Sequence, residues 1–96
     1  MTADFSSIHN HREREVCAEV LNTVARQPWL THDRELLADV ACVALNRLPP
    51  LYIRHDADFA FHLGDRERLD GQRLVSDAVA FAFSYVQART AMKART

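Results

Sequence analysis

The chain has 96 residues, 48% of them hydrophobic and 26% charged, the composition of one ordinary globular domain. A domain of this size buries about 65% of the surface its unfolded chain exposes, enough for a single core and little more. A formal charge of −1 argues against wholesale electrostatic binding of DNA, RNA or an anionic membrane, although eleven of the twelve basic residues are arginine, which leaves room for a local basic patch.

Cys17 and Cys42 are too few for a disulfide framework. Both are flanked by apolar residues, so the expectation is buried free thiols in a reducing cytoplasm. No N-terminal apolar run resembles a signal peptide and no stretch is long enough to span a bilayer, so a cytoplasmic protein without a membrane partner is expected. The domain is expected over residues 8–90, with flexible ends at 1–7 and 91–96.

The first seven residues have no period. Ser7 or Asn10 is positioned to cap a first helix that runs to about Gln27, before Pro28 stops it. Its apolar stripe is Val16, Cys17, Val20, Leu21 and Val24, and one turn further back the same stripe meets Glu13, with Asn10 at its edge. Either that face reaches solvent there, or Glu13 accepts hydrogen bonds from another segment. Gln27 to His32 reads as a connection, with Trp29 and Leu30 folding back onto the helix. Thr31 or Asp33 then caps a second helix, with Glu35 near its positive end.

This second helix is the most apolar part of the chain. At about 100° per residue, Leu36, Leu37, Val40, Ala41, Ala44 and Leu48 fill one half of it, and Ala38, Val43 and Leu45 extend the apolar surface. Glu35, Asp39 and Asn46 form a narrow polar seam with Cys42 between them. Such a helix belongs in the middle of a domain or between two chains. Pro49 and Pro50 supply no N–H and disfavour helical geometry in the preceding residue, so the helix stops near Leu48.

Leu51 to His55 is short, extended and β-prone. Asp56-Ala57-Asp58 reads as a turn and residues 59–63 as a second short strand, with Phe59, Phe61 and Leu63 on one face. The last helix begins after Asp65 or Asp70, and Gly71 favours the later start. Its stripe is Leu74, Val75, Ala78, Phe81, Ala82, Tyr85 and Val86; Phe83 falls off it, as a second contact surface or an exposed ring. Arg89, Lys93 and Arg95 gather at the C-terminal end, where cations suit the helix dipole. The fold class that follows is mainly α: three main helices with a short β hairpin or extended segment after the central one.

Catalytic signatures are missing. Two glycines cannot supply a phosphate-binding loop or a dinucleotide fingerprint, and there is no nucleophile elbow. The pair His9 and His11 would point about 200° apart on a helix, which does not suit shared metal ligation. Asp39 and Glu13 can be imagined as paired carboxylates, but nothing places a substrate between them. An enzyme, a cofactor and a metal are therefore not expected.

The constellation around the double proline is richer: Asn46, Arg47, Pro49, Pro50, Tyr52 and Arg54. Arg47 falls on the apolar side of its helix, where a guanidinium must snorkel out, pair with a carboxylate or bind an anion. Glu13 is the candidate carboxylate. Tyr52 and Arg54 share one face of the extended segment because strand side chains alternate. Arginine binds phosphate bidentately and stacks on flat rings, so this pair fits a nucleotide. The composition equally allows a core tyrosine and a solvated edge charge.

The stretch A-D-V-A-C-V-A-L-N-R-L-P-P-L-Y-I resembles the signature of the late competence development protein ComFB family, whose pattern is close to D-[IV]-x-A-x-A-L-N-x-L-P-P-x-Y-[VI]. Asp39, Val40, Ala44, Leu45, Asn46, Leu48, Pro49, Pro50, Tyr52 and Ile53 match it, while Cys42 stands where the family usually has alanine. Asn10-x-x-Glu13-x-x-Val16 is similar to the family's N-terminal N-x-x-E-x-x-V, and the final helix with Asp77, Ala82 and Val86 is similar to its C-terminal part. Many members carry a zinc-binding cysteine cluster before the signature helix; here that region is Q-P-W-L-T-H-D-R-E-L-L, without cysteine, so zinc does not carry over.

The resemblance implies a small, mainly helical, homodimeric cytoplasmic protein with no known catalysis. Some members resemble receptors for cyclic dinucleotides, notably cyclic di-GMP, linked to competence, pili and motility. On that reading Arg47 and Arg54 meet phosphate or guanine, Tyr52, Pro49 and Pro50 shape the wall, and Asn10, Glu13, Asp39 and Asn46 fix the backbone. The alternative is a structural interaction module of the DNA-uptake system with no small ligand and an unidentified protein partner. Direct contact with DNA is disfavoured by the net charge.

Overall fold

A computed structural model describes residues 2–95. Its elements are β1 (His9–Asn10), α1 (His11–Arg26), α2 (Arg34–Asn46), β2 (Tyr52–Ile53), α3 (Asp56–His62) and α4 (Asp65–Ala94). The fold is mainly helical, as its apolar periodicities require, with an extended segment directly after the central helix. The three long helices pack pairwise, α2 and α1 on each other and both on α4, around Val16, Val20, Val24, Val40, Ala44, Val75, Val79, Ala82, Phe83 and Val86.

Local signals explain the helix starts. Asn10 caps α1 by accepting from the Arg12 N–H. Asp33 caps α2 by accepting from the N–H groups of Glu35 and Leu36, and its own N–H donates to the Thr31 hydroxyl at 3.1 Å. The polar seam of α2 faces solvent, and Cys42 faces solvent with it. Cys17 is exposed as well. The buried face of α1 turns toward Thr23, so Cys17 and Leu21 leave the stripe and the expectation of buried thiols fails.

Other expectations change as well. Residues 59–63 do not form a strand: β2 takes its partner from the N-terminus, pairing antiparallel with β1 in the register His9 to Ile53 and Asn10 to Tyr52. With β2 satisfied, Asp56 and Asp58 begin a short helix instead, where carboxylates suit the positive end. Phe59 then packs on the His11 ring, centroids 4.8 Å apart, while Phe61 is exposed. Of the Trp29–Leu30 pair only Leu30 reaches the core; Trp29 is 77% exposed.

The last helix starts at Asp65 and passes straight through Gly71, so the glycine is not a boundary. It is a point of close approach: a Cβ there would lie 3.3 Å from an Arg12 guanidinium nitrogen. The buried face of α4 is also rotated from the expected stripe. Phe83 is in the core, beside a groove shared with Glu19, Thr23 and Leu30, whereas Leu74, Phe81 and Tyr85 face outward. The helix extends into the end expected to be flexible, to Ala94; Met1 and Thr96 lie outside the described residues. Among the described residues no helix is long and apolar enough to cross a membrane.

Candidate functional site

The double proline leaves α2 with a specific hydrogen-bonding problem. Neither Pro49 nor Pro50 has an N–H, so Leu51 supplies the first backbone donor after the stop. That donor goes to the Asn10 side chain, whose Oδ1 accepts from Leu51 at 2.9 Å while accepting from Arg12 at 3.2 Å. In return the His11 N–H donates to the Leu51 carbonyl at 2.8 Å. One asparagine therefore caps α1 and pins the exit of α2 to it. Pro49 and Pro50 lie exposed on the outside of this clamp.

Beyond the clamp, Tyr52 of β2 and Arg54, at the bend just after the strand, are both exposed to solvent. The Arg54 Nε donates to the Ser7 hydroxyl at 3.1 Å, which aims the guanidinium while leaving its two terminal nitrogens for another acceptor. Arg54 lines a cleft of about 370 Å³ together with His55, Phe59, His62 and Ile53.

Arg47 goes elsewhere. It is the C-cap residue of α2, and its guanidinium carbon lies over the Phe81 ring, 3.7 Å from the centroid. It lines a smaller cleft with Leu48, Leu74, Asp77 and Ala78. Within one chain, then, Arg47 and Arg54 border different clefts. Glu13 is exposed and Arg47 does not pair with it; Val16 is the last buried position toward the start of α1, so the face reaches solvent at Glu13. Asp39 and Asn46 lie on the exposed seam of α2, and the Asn46 amide approaches the Cys42 sulfur at 3.9 Å.

The structure assembles one group that periodicity does not reveal. Asp56, the first residue of α3, has His9 Nε2 at 3.2 Å and His11 Nδ1 at 3.6 Å on one oxygen, and Arg14 at 3.4 Å on the other. The two histidines point apart only on a continuous helix. His9 belongs to β1 and His11 opens α1, so both reach the same carboxylate. The carbonyl of Ser7 and the Asp56 carboxylate raise the His9 pKa above 6.5. In turn His9, and then Arg14, hold the Asp56 carboxyl below 3.8, against the opposing effect of burial. Behind them Arg12, only 14% exposed, pairs with Glu15 at 2.9 Å.

No three His, Cys, Asp or Glu side chains converge to hold a metal ion among the described residues. Before α2 the polar side chains are already committed: His32 donates to the Pro28 carbonyl, and Thr31 and Asp33 cap the helix. This region does not fit a zinc site.

Residues 9–90 match the family model of the late competence development protein ComFB. The chain belongs to this family. No curated protein matches it. The ComFB match covers β1 through most of α4, so the Asn10 clamp, the double-proline exit and the three-helix core all fall inside it. ComFB is a competence regulatory family and not a known enzyme family, which associates this chain with a competence-related role.

Proposed function

We propose that the protein is a dimeric, non-enzymatic cytoplasmic receptor for a cyclic dinucleotide, cyclic di-GMP, that regulates competence, pili or motility. The observation that carries this reading is the Arg47 guanidinium stacked on Phe81 beside the double proline. The guanidinium sits over the ring. A guanidinium suits guanine stacking and bidentate phosphate contact, which are the two things a guanine dinucleotide offers. Arg54, oriented by Ser7, provides a second cation with two unspent nitrogens. A two-fold symmetric ligand with two phosphates suits a two-fold dimer that presents each arginine twice.

Calorimetric titration with cyclic di-GMP tests the proposal. Saturable binding at ligand concentrations up to about 100 µM is expected, weakened by Arg47→Ala and Arg54→Ala but not by Arg34→Ala on the opposite end of α2. Absence of saturation, or equal losses at all three positions, removes the receptor reading.

A second reading, an interaction module of the DNA-uptake machinery without a small ligand, is favoured by Trp29 standing exposed at the turn before α2. A lone exposed tryptophan is a frequent anchor of protein interfaces. The two readings separate on the same titration: the module predicts an intact assembly that gives no heat with the nucleotide.

A further inference from the structure

The outward face of α4 carries a pattern that the core does not use. Leu74, Phe81, Tyr85 and Met92 are between 41% and 68% exposed. At about 100° per residue they fall within about 40° of arc, centred about 110° from the middle of the buried face of the same helix. With the exposed Ala88 they form a seam, Leu74, Phe81, Tyr85, Ala88 and Met92, in steps of seven, four, three and four, bordered on its inner side by the buried Ala78. This is the spacing of a helix-pairing seam, and it runs for about 27 Å. Phe81 and Tyr85 stack on each other at its centre, 6.0 Å between centroids.

The seam reads the same in both directions. About a midpoint at the height of Phe83, Leu74 is matched by Met92 and Phe81 by Tyr85. An isologous interface needs this property, because under a two-fold axis each residue meets the symmetry mate of another at the same height. Large residues then face large ones at the ends and at the centre.

Charge selects the direction. Residues 65–77 carry four carboxylates against three arginines, whereas residues 78–95 carry Arg89, Lys93, Arg95 and no carboxylate. An antiparallel pair sets the basic half of one helix against the half with the carboxylates, and brings Asp70 to the height of the partner's Arg95. A parallel pair would set three cations against three.

We infer that α4 is a homodimer surface, with a second copy of this chain docked antiparallel along the Leu74–Met92 seam. The inference rests on the dimeric receptor reading and adds the surface and the direction. Because Arg47 lies on Phe81, close in height to the two-fold axis, this dimer brings both Arg47 side chains beside the axis. That is where a two-fold symmetric diphosphate would sit.

Light scattering on the chromatographed full chain tests the surface without any nucleotide, so it can fail while the receptor reading stands, and the reverse. A mass near twice 11.0 kDa is expected at about 100 µM chain. Tyr85→Glu and, separately, Leu74→Glu should raise the dimer dissociation constant at least about 30-fold, with unchanged helical circular dichroism. A monomer, or a dimer that survives both substitutions, overturns the proposal. Direction is read by disulfide trapping in a background of Cys17→Ser and Cys42→Ser. A mixture of Leu74→Cys and Met92→Cys chains should cross-link to each other, while Met92→Cys alone should not; the opposite pattern overturns the antiparallel assignment.

Discussion

Asn10 and Leu51 are 41 residues apart in the chain and joined by a 2.9 Å hydrogen bond from the backbone of one to the side chain of the other. The double proline makes that bond necessary, since it removes the two preceding donors and leaves the Leu51 N–H to be satisfied inside a partly buried corner.

Removing the acceptor should therefore cost more than a helix cap alone. Asn10→Ala loses the cap on α1 and strands the Leu51 donor, for about 2 kcal/mol in total. Asn10→Asp keeps an acceptor in the same place and should recover at least half of that loss. Urea unfolding midpoints of the three proteins decide it. An Asn10→Ala protein as stable as the parent would mean that water serves Leu51 equally well.

The contact between α3 and the N-terminal segment should depend on pH in a defined window. His9 has a raised pKa in the fold, so its contribution is complete below its ordinary value of 6.5 and is lost as pH rises through the folded value. Asp56 has a lowered pKa, so its contribution is complete above 3.8 and is lost as pH falls through the folded value. The contact is therefore at full strength between those two ordinary values. The neighbouring groups are His11 and Arg14 of α1, which also face the Asp56 carboxylate, and Glu15, which faces His11. In a proton NMR titration the His9 ring should show a midpoint above 6.5 that moves down in Asp56→Asn, without returning fully, because the Ser7 carbonyl still accepts from Nδ1. An unchanged midpoint would show that Asp56 does not hold His9 in solution.

How far the sequence led is clearest on α2 and α4. The position of α2, its cap, its polar seam and its proline stop all followed from side-chain period and from what proline lacks, since these are properties of the helix itself. The orientation of α4 did not follow. Its two candidate faces are both apolar, so period alone could not choose between a stripe with Phe81 and Tyr85 and one with Val79 and Phe83. The choice was made by α1 and Leu30, which open a space for Phe83. The 59–63 strand failed for a related reason: β2 takes its partner from residues 9 and 10, and pairing across 40 residues leaves no local signal. The Asp56 group was hidden by the same long-range pairing.

Gly71 offers a test in which two opposed effects differ in size. Glycine inside a helix is about 1 kcal/mol worse than alanine. Against that gain, the new methyl would meet an Arg12 nitrogen at 3.3 Å, which asks the guanidinium to give by a few tenths of an ångström while bound to Glu15. An arginine tip can move that far, so Gly71→Ala should stabilise the protein, by about 0.5 kcal/mol. In an Arg12→Ala background the same change should reach the full value of about 1 kcal/mol. Additive effects in this double-mutant cycle would show that Arg12 and Gly71 do not touch in solution.

Arg47 and Arg54 should respond differently to truncation, because one is stacked and the other only tethered. Arg47→Ala removes a cation–π contact worth about 0.5–1 kcal/mol and uncovers the Phe81 ring. Arg54→Ala removes an exposed hydrogen bond to Ser7 and should stay within about 0.5 kcal/mol of the parent. Phe81→Leu separates packing from stacking: it keeps an apolar side chain under Arg47 but removes the ring, and should reproduce the Arg47→Ala loss without deleting the charge. In nucleotide titrations Phe81→Leu should then weaken binding less than Arg47→Ala, since the guanidinium remains but is no longer held by the ring. If Phe81→Leu leaves both stability and binding untouched, the stack does not orient Arg47, and the charge acts alone.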